Sequence, residues 1–173
     1  MKAISTIVFL CFLAAGTPLI RAAHPGAASK PVAVDIKNSQ GQSIGSALLS
    51  EAPQGVRIKL DIRNLPPGEH SLHIHQVARC EAPDFKSAGP HFGAGHADAH
   101  GGLPLGDIPD FSLIVGADGT ARATVVAPNV TMGTDDRSVF SNGGTAIVIH
   151  AVASGASSSA PPRIACGVIA RPE

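Results

Sequence analysis

Val56-Arg57-Ile58-Lys59-Leu60-Asp61-Ile62-Arg63 alternates apolar and charged side chains without a fault. Successive side chains of a strand point to opposite faces, so this stretch fits a half-buried antiparallel strand and no helix. The same period recurs where Val32, Val34 and Ile36 alternate with Ala33, Asp35 and Lys37. Further strands are predicted over 43–50, 70–78, 111–116, 120–127, 145–152 and 163–170. Turn residues separate most of them, at Ser39-Gln40-Gly41, Pro53-Gln54-Gly55, Leu65-Pro66-Pro67-Gly68 and Asp118-Gly119. About eight short strands at this spacing predict an all-β fold, a sandwich or a Greek-key barrel. The chain has no Trp and no Tyr, so Val, Ile, Leu and a few Phe must fill the core. Two long connections, 79–110 and 128–144, and a shorter one, 153–162, stand outside the pattern. Loops of that length in a compact β fold usually carry function.

The first residues belong to a different kind of segment. Lys2 is followed by a largely apolar run from Ala3 to Gly16, too short to span a bilayer, and then by small residues at Ala22-Ala23 and Ala27-Ala28. Residues 1–23 therefore read as a secretory signal peptide with an uncertain cleavage point. Residues 24–30 read as a flexible lead-in and 31–173 as a single β domain. Cys11 follows Leu10, where a lipoprotein cleavage site would want a small residue, so it is not read as a lipid anchor. Lys+Arg and Asp+Glu each number 13. Loss of Lys2 and Arg21 with the leader leaves a slightly acidic chain, with no sign of a nucleic-acid or membrane partner. Only Cys80 and Cys166 survive processing. One disulfide is the natural reading in an oxidising compartment, whether periplasmic or secreted; two free thiols are the alternative.

The chemistry concentrates in histidine. His73 and His75 lie two apart in the strand predicted over 70–78, so their rings share one face and can grip one metal ion, while Leu72 and Ile74 face the core. His91, His96 and His100 follow, then Asp107, and His150 lies much later on another apolar run. His70 falls by parity on the face of Leu72 and Ile74. It reads as a buried ring hydrogen-bonded to backbone, and His24 as a solvated residue of the lead-in.

Several passages in this order resemble the copper/zinc superoxide dismutases of the bacterial exported type. They are Gly55-Val56-Arg57-Ile58, Leu65-Pro66-Pro67-Gly68-Glu69-His70, His73-Ile74-His75, Ser87-Ala88-Gly89-Pro90-His91-Phe92, Gly106-Asp107-Ile108-Pro109 and Arg163-Ile164-Ala165-Cys166-Gly167-Val168. The resemblance runs from about residue 32 to 170. It implies an eight-stranded antiparallel Greek-key β-barrel, an immunoglobulin-like sandwich with long metal-binding loops. It implies that His73, His75, His91 and His150 bind copper, with His91 bridging towards zinc. Cys80 and Cys166 match the family disulfide, and Arg163 matches the arginine that stands over copper and attracts the anionic substrate. Imidazole serves both oxidation states of copper, whereas carboxylates or thiolates would favour one. His91 and Arg163 are thus the expected catalytic residues: a proton carrier and an anion guide.

The zinc half departs from the pattern. His91, His100 and Asp107 fit the family positions, but Pro104 stands three residues before Asp107, where the family has its remaining histidine. The loop is shortened there, and His96, among glycines, is the candidate replacement in a tetrahedral set. The alternative is a weak or empty zinc site. The segment Ala151 to Pro162 contains no charged residue, and Ser154 lies about where the family has an aspartate linking the two metal sites. Substrate steering is therefore expected to rest mainly on Arg163, and the zinc ligands to be less rigidly held.

The expected function is disproportionation of superoxide to dioxygen and hydrogen peroxide. The alternative is an exported protein of the same fold that binds or buffers copper without turnover. Family members occur as monomers and homodimers, and the sequence leaves both open.

Overall fold

The computed structural model describes residues 30–94, 102–152 and 161–172. Nine antiparallel strands occupy these residues: β1 Val32–Asn38, β2 Ser43–Ala52, β3 Gly55–Ile62, β4 Gly68–His70, β5 Leu72–His75, β6 Leu113–Val115, β7 Ala121–Ala127, β8 Thr145–His150 and β9 Arg163–Ile169. Seven of them form one curled sheet in the order β5-β8-β9-β1-β2-β3-β7, and β4 pairs with β6. β9 lies between β8 and β1, so the chain's last strand returns beside its first in a Greek-key barrel. Residues 1–29, with the leader and His24, lie outside the described residues, as do His96, His100 and Ser154.

The alternation in the sequence becomes burial. Val56, Ile58, Leu60 and Ile62 are buried while Arg57 and Lys59 are exposed. Their inward row meets Val32, Val34, Ile36, Leu49, Ile147 and Ile149 in one core of aliphatic side chains, each contributing about 1.5–3 kcal/mol by leaving water.

The strand predicted over 70–78 differs from expectation. It breaks at Ser71 and ends at His75, because His70 and its predecessors pair with β6 whereas Leu72–His75 pair with β8. That break turns the expected eight strands into nine. All four residues of β5 are buried. Leu72 and Ile74 enter the core as predicted, and the long connection after β5 covers the outer face that carries His73 and His75.

That connection has a small core of its own. Phe85 and Ala88 pack with Ala146, Val148 and Cys166, with Cys80 at the edge. Phe85 is fully buried and sits beside a short 3₁₀ turn, Lys86–Ala88. The Cys80–Cys166 disulfide, with Cα atoms 5.6 Å apart, fixes this loop to β9.

Candidate metal centre

Four imidazoles converge on the outer face of β5 and β8. His73 and His75 come from β5 and His150 from the end of β8. His91 enters from the covering loop through an isolated bridge to His75. One ring nitrogen of each lies within 4.8 Å of those of the other three. The His73 and His91 rings stack with centroids 4.2 Å apart, and His75 meets His91 edge-on at 4.8 Å.

Hydrogen bonds set which nitrogen faces inward. His75 Nδ1 donates to the Gly89 carbonyl at 2.9 Å, and His150 Nδ1 donates to the Pro161 carbonyl at 3.1 Å. Each neutral ring then carries its proton on Nδ1 and leaves Nε2 as a lone pair. Those two Nε2 atoms stand 3.3 Å apart. Two facing lone pairs repel unless a cation lies between them.

A proton does not serve as that cation near neutral pH. Burial, aided by His91 and His150, lowers the pKa of His73 to about 3. Burial also lowers His75 to about 3, against the Gly89 hydrogen bond and with the help of Arg163, His91 and His150. His150 shifts in the same direction, again chiefly through burial. A cage in which burial keeps His73, His75 and His150 neutral fits a transition-metal ion, and copper in either oxidation state accepts imidazole donors.

His91 faces two ways. Its Nδ1 lies 2.6 Å from Asp107 Oδ1, which leaves Nε2 as the nitrogen for a shared ion. Gly106 makes this meeting possible. It lies against β5, with its N–H on the Phe92 carbonyl and its carbonyl receiving the Ile74 N–H, both at 2.9 Å. A Cβ there would come within 2.0 Å of the Ile74 carbonyl oxygen, so only glycine permits the approach. Of the predicted zinc set, the structure brings together His91 and Asp107; His96 and His100 fall outside the described residues.

Arg163 lies beside His150 across the β8–β9 pairing. Its Nη1 donates to the Phe85 carbonyl at 2.7 Å and its Nη2 to the Gly89 carbonyl at 2.8 Å. Burial pulls its pKa down and the Asp84 carboxylate opposes this; a guanidinium stays charged regardless. Sequence reasoning missed Phe85, Gly89 and Pro161, whose roles pass through main-chain carbonyls. The one available signal was Phe85, a large apolar residue inside a polar loop.

His70 lies apart from the cage, buried as parity predicted. Its ring bridges two carbonyls, with Nδ1 2.9 Å from that of His150 and Nε2 2.8 Å from that of Pro66. It positions the His150 backbone from beneath.

Fold and site define a class: a Greek-key β-barrel metalloprotein with a four-histidine cage and a guanidinium at its edge. The profile of copper/zinc superoxide dismutase matches residues 43–169. "Superoxide dismutase [Cu-Zn] 1" of Aquifex aeolicus is 40% identical over 146 residues, covering 78% of this chain and 85% of the relative. The Escherichia coli K12 enzyme is 33% identical over 170 residues, covering 87% and 94%. Among solved structures, a double mutant of a superoxide dismutase-like protein from Bacillus subtilis matches with TM-score 0.71 at 29% identity, covering 80% of this chain and 97% of that one. The Brucella abortus copper/zinc superoxide dismutase matches with TM-score 0.64 at 27% identity, covering 81% and 99%. The chain belongs to the copper/zinc superoxide dismutase family. Its activity is the oxidoreductase reaction of that family, with superoxide as substrate and copper and zinc as the family's metals.

Proposed function

We propose that His73, His75, His91 and His150 hold the copper, that Arg163 binds and orients superoxide, and that His91 also serves the proton transfer. The observation supporting this most is the convergence of four ring nitrogens within 4.8 Å. When bound there, copper supplies one-electron cycling that releases dioxygen from one superoxide and delivers an electron to a second, which leaves with two protons as hydrogen peroxide.

The protein's own groups do the rest. Each Nη of Arg163 carries two hydrogens, and one of each is engaged by a loop carbonyl. The others remain to hold a small anion beside His150. His91 is held by Asp107 at Nδ1, so its Nε2 is positioned to carry a proton towards the second superoxide. Burial of His73 and His75 keeps solvent protons from competing for the ligand nitrogens.

Zinc is assigned to His91, His100 and Asp107, with His96 as the fourth donor. Asp107 lies on the Nδ1 side of His91, the side a bridging ligand offers to a second metal. The mature enzyme is assigned to the periplasm or cell exterior, on the leader-like residues 1–23 and the Cys80–Cys166 bond.

The test is loss of superoxide by purified protein loaded with copper, with and without zinc, against a His150→Ala variant. The variant should lose more than about tenfold of the activity together with copper affinity. Equal activity in variant and parent would overturn the copper assignment. Metal analysis of His96→Gln checks the zinc set, with zinc content expected to fall while copper is retained.

A further inference from the structure

Beside β5, a cleft of about 320 Å³ has a lining that includes His73, Leu103, Asp107, Ile108 and Asp110 and leaves out Arg163. It reaches His73, one of the four rings of the cage, without passing Arg163. Its described lining includes two carboxylates and no lysine or arginine. A water occupies about 30 Å³ of liquid, so a cation carrying a shell of about six waters fits the space.

The two approaches to the cage therefore differ in sign. On one side Arg163 stands beside His150 across the β8–β9 pairing. A fixed cation there attracts superoxide and repels a metal ion. On the other side Asp107 and Asp110 favour a cation, and His73 offers the first imidazole it would meet.

We propose that copper enters the cage through the cleft of Asp107 and Asp110, on to His73, and that the Arg163 side serves the anion alone. The proposal rests on His73 being a copper ligand. It makes Asp110, which belongs to neither proposed ligand set, an entry residue for the metal.

Copper(II) alone is mixed with mature apo-protein in stopped flow, and the rise of the ligand-field absorption gives the uptake rate. Asp110→Asn removes the charge and suits the left-handed backbone at this residue, whose φ is 57°. Leu103→Lys adds a cation at a residue that is 60% exposed, where folding is little affected. Each should slow uptake by about fivefold at low salt, with the difference shrinking as salt screens it. Final copper content, the absorption spectrum and the activity of the loaded enzyme should match the parent. Unchanged uptake in both variants would overturn the proposal, and acceleration by Arg163→Ala would then place entry on the anion's side. Failure of the parent itself to develop a nitrogen-ligated copper spectrum would overturn the copper assignment, and this route with it.

Discussion

His75 and Arg163 share one acceptor: the Gly89 carbonyl takes a hydrogen bond from His75 Nδ1 at 2.9 Å and another from Arg163 Nη2 at 2.8 Å. A single carbonyl thus sets the tautomer of a proposed copper ligand and the position of the group proposed to hold the substrate. The loop carrying Gly89 is fixed to β9 by Cys80–Cys166 and by the buried Phe85.

Removing that bond should damage the site beyond its effect on folding. The disulfide spans 86 residues, for which the chain-entropy model gives roughly 4–5 kcal/mol. Cys80→Ser should therefore lower unfolding stability by about that amount in urea titration. It should also lower the activity of the folded, copper-loaded protein, because Gly89 and Phe85 no longer hold Arg163. Full activity per bound copper would separate loop anchoring from Arg163 placement.

The pH dependence of the metal-free protein follows from the two most shifted rings. His73 and His75 have folded pKa values of about 3, against 6.5 for an ordinary ring. Above pH 6.5 they are neutral in both folded and unfolded chains. Between 6.5 and 3 the unfolded chain takes up protons that the fold refuses, so stability falls as pH falls, by up to about 1.4 kcal/mol per pH unit for each ring. Urea midpoints at pH 7, 5.5 and 4 should decline in that order, and a His73→Asn/His75→Asn double variant should flatten the decline. An unchanged slope in the double variant would assign the acid sensitivity to other groups.

What the sequence carried and what it concealed follow the same physical division. The strand at 55–62 was legible because one face meets water and the other the core. Parity alone placed His73 and His75 together and His70 opposite. Burial of all four residues of β5 was not legible, since it depends on a loop that folds over them from far along the chain. The break at Ser71 was hidden for a similar reason: it arises from a change of partner, from β6 to β8. His150 and Arg163 were recognised through family resemblance rather than periodicity. The carbonyls of Phe85, Gly89 and Pro161 leave no mark in residue type, because every residue has one.

His70 provides a test of support from beneath the cage. Its ring is buried and spans the carbonyls of Pro66 and His150. His70→Phe keeps a ring of similar breadth but has no N–H to offer, which leaves the buried His150 carbonyl without the ring as its neighbour. The expected cost is about 1–3 kcal/mol per unsatisfied group, read as a lowered urea midpoint. The electron paramagnetic spectrum of bound copper should also broaden as the His150 backbone loosens. A variant as stable as the parent, with an unaltered spectrum, would leave His70 with no part in positioning His150.

The last expectation concerns long-range steering of superoxide. The segment 151–162 supplies no charge, and on the covering loop Asp84 and Lys86 form a 2.9 Å pair that largely cancels at a distance. Arg163 is left as the main attraction, and it acts at close range, where salt screens little. Raising ionic strength from about 0.01 to 0.15 M shortens the Debye length from about 30 to 8 Å. The second-order rate with superoxide should fall by less than about threefold across that range, against the much steeper loss of an enzyme with an extended positive funnel. Arg163→Ala should instead lower the rate about tenfold or more at every salt concentration while leaving the copper absorption in place. A steep salt dependence that survives in Arg163→Ala would locate the attraction in charges elsewhere on the surface.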